Sequence, residues 1–154
     1  MVSDAVAIVT GGSRGIGREL VRGLALRGYA VVVAYLDEAD AAHAAQGSAL
    51  TVRADVTDEL DVERLFGETK LVFRDIDVVV HAAADGADIV VGHAARELRH
   101  GGVVVNVSGA HTSTPALAGE LHARGITLCE VVPLGPHHAV AAVLAFLDRR
   151  RPGG

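Results

Sequence analysis

TGGSRGIG, residues 10–17, joins the apolar run Val6–Thr10 to a stretch with helical spacing. A tight turn that feeds directly into a helix N-terminus offers backbone N–H groups to a phosphate and needs no charged side chain to do so. Glycine suits three places in such a turn. Gly11 is expected to take a positive φ, Gly15 to let a phosphate approach the backbone, and Gly17 to let the helix lie close on the strand. Arg14 is expected to point outward. The helix that follows puts Ile16, Leu20 and Leu24 on one face, Arg18 and Arg22 elsewhere, and closes at Gly28.

Outward from this turn the chain alternates. Further strands are predicted at Ala30–Tyr35, Ala49–Val52, Ile76–His81, Gly102–Val107 and Ile126–Val132, with helical segments between them. Strands that alternate with helices imply right-handed crossovers. The fold class is therefore α/β: a doubly wound, Rossmann-like, mostly parallel six-stranded sheet with helices on both faces. Composition agrees, since the chain is 50% apolar, rich in Ala and Val, and only 3% aromatic, as befits a parallel sheet buried on both sides. "DEADAAHAAQG" reads as a brief helix between the second and third strands. Thr57 is expected to cap a helix with Asp58 and Glu59 in its first turn, which buries Leu65, Phe66 and Thr69 and is weakened at Gly67. Pro115 and Pro136 mark the starts of the last two helices, and Gly125 ends the former. The 154 residues read as a single domain over 1–150, with 151–154 as a frayed tail after the basic turn Arg149–Arg151.

A net charge of −5 with no basic face argues against nucleic acid as a partner. No apolar run approaches the roughly 18 residues of a membrane span, and no signal peptide is evident, so a cytoplasmic location without a membrane partner is expected. The lone Cys129 can form no internal disulfide and reads as a buried, inert thiol. Eight histidines match no ligand spacing such as H-E-x-x-H, so no metal is expected.

The glycine spacing does not follow G-x-G-x-x-G, because position 20 is Leu20. Thr10, Gly11, Gly15 and Gly17 instead resemble the T-G-x-x-x-G-x-G motif of the short-chain dehydrogenase/reductase family. Three further stretches carry the resemblance. "ADVTD", residues 54–58, is similar to the family's segment after the third strand, whose Asp contacts adenine; here that is Asp55, with Val56 lining the ring. "DIDVVVHAAA", residues 75–84, resembles a fourth strand ending in N-N-A-G, with His81 and Ala84 as departures. "VVVNVSGA" and "ARGITLCEVVPLGP" resemble the fifth and sixth strands and the Pro-Gly turn over nicotinamide, with Leu134 inserted between Pro133 and Gly135.

The resemblance implies a dinucleotide site formed by Gly11, Ser13, Arg14, Gly15, Ile16, Gly17, Tyr35, Asp55, Val56, His81, Ala82, Ala83, Pro133 and Gly135. At the end of the second strand an acidic residue would bind both ribose hydroxyls and repel a 2′-phosphate. Tyr35 stands there, and Arg14 is available to pair with the phosphate, so NADP is favoured over NAD. Asp37 or Glu38 would reach the ribose if the strand ended later.

The family reduces carbonyls with a Ser, a Tyr and a Lys, the last two in Y-x-x-x-K. A phenol with a pKa of about 10 needs a nearby cation to exchange protons at neutral pH. Here the tyrosines are Tyr29 and Tyr35, the one lysine is Lys70, and Y-x-x-x-K is absent. Ser108 falls one residue before the family's catalytic Ser slot, which holds Gly109, and His111 follows the fifth strand's carboxyl end as a candidate acid–base group. Asp85–Gly101 and Ser108–Gly125 leave room only for shortened fourth and fifth helices, the family's catalytic and dimer elements, so the oligomeric state stays open between a monomer and an unfamiliar dimer. Three readings follow: a dinucleotide-binding member without the standard catalysis, an active NADPH-dependent carbonyl reductase using Ser108 and His111 on an unidentified small molecule, or an interaction module that holds no nucleotide.

Overall fold

Valine dominates the strands, and the structure buries it on both sides of them. The computed structural model describes residues 5–13, 15–107, 115–132 and 134–150. Strands β1 (Val6–Thr10), β4 (Val78–His81) and β5 (Val103–Asn106) are buried at every position. β2 (Ala30–Tyr35) is buried except at its ends, and β3 (Leu50–Arg53) and β6 (Thr127–Glu130) form the partly exposed edges. All pairings are parallel, in the order β3-β2-β1-β4-β5-β6.

Successive side chains in a strand point to opposite faces, and this alternation builds two apolar layers. Val6, Ile8, Val79 and Val104 face one layer, covered by α3 (Glu59–Phe73), α4 (Ala87–Glu97) and α5 (Pro115–Ala123) through Leu65, Phe66, Val90, Val91 and Leu121. Ala7, Val9, Val78 and Val105 face the other, covered by α1 (Gly15–Leu26), the short α2 (Ala41–Ala44) and α6 (Pro136–Arg150). Leu20 and Leu24 of α1 are fully buried there, while Ile16 is only partly so. Gly23 brings α1 close to α6, since a Cβ on it would stand 2.5 Å from Leu144 Cδ1.

The expected helix starts at Pro115 and Pro136 are observed, and Gly28 and Gly125, expected to close helices, follow α1 and α5 with positive φ. Leu65, Phe66 and Thr69 are buried as predicted. Strand ends shift by one or two residues: β3 runs over Leu50–Arg53 rather than Ala49–Val52, β4 starts at Val78 rather than Ile76, and β5 spans Val103–Asn106 rather than Gly102–Val107. Three further details differ. The cap of α3 is Asp58 rather than Thr57: its side chain accepts from the N–H groups of Leu60 and Asp61, while Thr57 turns back to Asp55. β6 stops at Glu130, short of Val132, because an edge strand has only one neighbour to extend its ladder. Cys129, on that edge, is half-buried rather than buried, and desolvation still pushes its thiol pKa up against the pull of Arg149 and Arg150. The short helices α4 and α5 are tied at their ends, where the Arg124 guanidinium donates to the carbonyls of Ala95, Arg96 and Leu98. Among the described residues no helix is long and apolar enough to cross a membrane.

Candidate functional site

β1 pairs with β2 on one side and β4 on the other, so the chain reverses its direction of travel across the sheet at this point. In open α/β sheets the crevice at the carboxyl ends of such strands is where ligands bind. A cleft of about 390 Å³ lies there. The turns after four strands line it: Gly11 and Ser13 after β1, Tyr35–Asp37 after β2, Asp55–Thr57 after β3, and Ala82–Asp85 after β4, with Asp40 at the side.

Glycine is required where these turns touch. Gly11 has φ 68°, and a Cβ on it would stand 2.9 Å from the Ala83 nitrogen, so the turn after β1 lies directly on the turn after β4. A Cβ on Gly17 would come within 2.0 Å of the Gly11 carbonyl oxygen. The close approach that Gly17 permits is therefore to the turn itself. Gly15 has φ 59° and open space where a Cβ would be. Gly86, the left-handed N-cap of α4, completes the set, since a Cβ there would lie 2.4 Å from the Val56 carbonyl oxygen. Sequence reasoning passed over Gly86, although the dipeptide Asp85-Gly86 is itself a turn signal.

The charged side chains on the cleft wall among the described residues are all acidic: Asp37, Asp40, Asp55 and Asp85. Asp55 Oδ1 accepts from the Thr57 hydroxyl at 2.6 Å and its N–H at 2.9 Å, and these bonds hold the carboxyl below the usual carboxylate range. Under the floor, His81 is completely buried, with Nδ1 2.7 Å from Thr10 Oγ1. Burial lowers its pKa to about 4, against the opposing pull of the Asp85 backbone and the Asp85 and Asp88 carboxylates, so the ring is neutral at pH 7.

Of the residues expected at a dinucleotide site, Gly11, Ser13, Tyr35, Asp55, Val56, Ala82 and Ala83 come together on the cleft wall. Gly15, Ile16, Gly17, His81 and Gly135 are not part of that wall; Ile16 packs on the α1 layer, and Gly135 precedes α6. Arg14, Ser108, His111 and Pro133 lie outside the described residues. Leu36, Asp37, Asp40, Thr57, Ala84 and Asp85 line the cleft in addition. Tyr29 is in the core, and Lys70 on α3 bonds Glu97 on α4, two elements away from Tyr35.

Fold and cleft together define a Rossmann-type α/β protein with its crevice at the reversal between β1 and β4. Its family is shown by sequence: the model for short chain dehydrogenases matches residues 5–124, and the chain belongs to that oxidoreductase family, whose members use nicotinamide dinucleotides. It is 33% identical over 120 residues to the 3-oxoacyl-(acyl-carrier-protein) reductase of Synechocystis, a match covering 73% of this chain and 49% of that protein. It is 38% identical over 81 residues to trihydroxynaphthalene reductase of Colletotrichum orbiculare, covering 48% of this chain and 29% of that one. The chain thus spans half or less of these relatives. Among solved structures, an NADP-bound dehydrogenase from Burkholderia cenocepacia superposes with a TM-score of 0.73 at 25% identity, covering 85% of this chain and 69% of that one. A short-chain dehydrogenase/reductase from Sinorhizobium meliloti reaches 0.78 at 20% identity, covering 95% and 90%.

Proposed function

We propose that this chain, as one domain over residues 1–150, is a cytoplasmic NADP(H)-binding protein that does not reduce carbonyls by its family's Ser-Tyr-Lys route. The observation that carries the binding half is the contact of Gly11 with the Ala83 backbone, with Gly17 behind it, at the open end of the sheet. A side chain at either glycine would collide with backbone, and what this leaves is a cradle of main-chain groups at a helix N-terminus. Such a cradle suits a pyrophosphate among acidic neighbours, because N–H dipoles rather than lysines hold the anion. Asp55 and Val56 would take the adenine end, and the Ala82–Ala83 backbone the ribose. A nicotinamide dinucleotide supplies the hydride when bound.

Preference for NADP rests on Tyr35 at the end of β2, on Arg14 in the glycine turn, and on the NADP found in the Burkholderia protein. Asp37 and Asp40 on the cleft wall favour NAD instead, which makes the preference directly testable. The catalytic half rests on the absence of Y-x-x-x-K from the chain and on the engagement of Lys70 with Glu97.

Calorimetric titration with NADPH and with NADH tests the reading. Tight, NADPH-selective binding without carbonyl-dependent NADPH consumption supports it. Selective binding of NADH reverses the cofactor assignment to Asp37 and Asp40. Steady turnover abolished in His111→Ala would make the protein a reductase with a non-standard acid–base group. A folded protein that binds neither nucleotide is an interaction module.

A further inference from the structure

Thr10 and His81 are the last residues of β1 and β4, paired in register, and neither is exposed. Their side chains meet at 2.7 Å. The backbone repeats the link one residue on, where the Ala82 N–H donates to the Thr10 carbonyl at 3.1 Å. Gly11 follows Thr10, and Ala82 and Ala83 follow His81, so the imidazole joins the two strand ends from which the touching turns of the cleft spring. Its other nitrogen, Nε2, is buried without a hydrogen-bond partner among the described residues. Leaving a buried polar atom unpaired is costly, and an apolar residue here would avoid the cost.

We propose that His81, as a neutral imidazole, is a positioning residue for the cleft, and that its protonation and nucleotide binding oppose each other. This rests on the reading of the cleft as a nucleotide site. A protonated ring carries two N–H donors. The second, at Nε2, requires an acceptor. The charged groups acting on the ring are Asp85, in the turn after β4, and Asp88, in the first turn of α4; its cross-strand neighbours Thr10 on β1 and Asn106 on β5 do not titrate. Capturing the Asp85 backbone or carboxylate draws in the segment that lines the cleft, and Gly11 rests on that segment.

Linkage makes the effect reciprocal: a ligand that needs the turn in place must weaken proton binding at His81 by the factor with which the proton weakens ligand binding. Plain electrostatics has the opposite sign, because a diphosphate near an imidazole favours its cation. The sign therefore separates positioning from proximity.

The test follows the His81 ring resonance by NMR from pH 7.5 to about 3, past the midpoint in both states, in the free protein and in protein saturated with ADP-ribose, with His81→Asn used to assign the signal. ADP-ribose is chosen because it lacks a 2′-phosphate that would itself titrate near pH 6. The expected result is a His81 pKa lowered by about half a unit or more on binding, about a threefold loss of proton affinity. An unchanged or raised value overturns the inference while leaving the cleft a nucleotide site. If calorimetry at pH 7.5 shows that the folded protein binds neither ADP-ribose nor a dinucleotide, the reading of the cleft fails and the inference with it.

Discussion

Gly17→Ala probes the glycine turn where it is tightest. The added Cβ would stand 2.0 Å from the Gly11 carbonyl oxygen and 2.7 Å from its carbon. Comfortable carbon–oxygen contacts begin at about 3.3 Å, so the turn and α1 must separate by about 1 Å or more. Both colliding groups are backbone, so no rotamer change relieves them, and Gly11 cannot retreat because it already lies against Ala83. Overpacking of this kind costs about 1–3 kcal/mol, and the rigid partners place Gly17→Ala near the upper end. Alanine's better helix propensity returns about 1 kcal/mol. The net loss is about 2 kcal/mol, a fall in Tm of about 6 °C for a chain of this size. Gly15→Ala is the control: its φ of 59° penalises a side chain, but nothing stands in the way. Its cost is about 1–2 kcal/mol from conformation alone, with nucleotide affinity falling about tenfold or more if the open space admits a phosphate. Thermal unfolding by circular dichroism and calorimetric titration, run on both variants, separate the two effects. A Gly17→Ala protein with unchanged Tm and unchanged nucleotide affinity would refute the steric argument.

Four other perturbations have defined outcomes. The pKa of His81 is lowered from 6.5 to about 4 in the folded state, so the unfolded chain takes the proton first; stability is complete above about pH 7 and declines by about 3 kcal/mol as pH falls from 6.5 to 4. Urea unfolding across that range should show the decline in the wild type and lack this part of it in His81→Asn. Asp58→Ala removes the cap that accepts from Leu60 at 2.9 Å and Asp61 at 3.2 Å, at a cost of about 1 kcal/mol in chemical unfolding. Thr57→Ala is expected to leave α3 intact and let the Asp55 carboxyl titrate at a higher pH by NMR. Phe66→Ala empties a fully buried position stacked on His93 and should destabilise the protein by about 3–5 kcal/mol.

The sheet was legible because its residues obey one rule at a time. Val78–Val80 and Val103–Val105 can satisfy two apolar layers only as inner parallel strands, and TGGSRGIG sets where the first crossover begins. Caps and edges were less legible. Thr57 and Asp58 are both good capping residues, and the choice between them depends on Asp55, whose carboxylate takes up the Thr57 hydroxyl. Cys129 sits in an apolar run, but its burial depends on a neighbour beyond β6 that an edge strand does not have. In the cleft, the glycines of the first turn were readable from spacing, and Asp55 from the resemblance carried by residues 54–58. The roles of Gly86 and Asp40 were not: Gly86 depends on a contact across the sheet, against Val56, and Asp40 on how the connection after β2 folds back onto the cleft. His81 was read for its backbone, and only the register with Thr10 reveals what its ring does.

The central place of β1 has a consequence for synthesis. Val6 and Thr10 bond to Asp77 and His81, each 71 residues further along the chain. As the chain leaves the ribosome, β2 can join one edge of β1 early, but the other edge waits for β4, and the glycine turn waits for the alanines that will support it. Through that interval a strand destined for burial at every position has an unpaired margin, the condition under which strands join the wrong neighbour. β1, made well before the strand it waits for, is thus among the last elements to be secured. A nucleotide present during synthesis can reward only chains that have grown past Gly86.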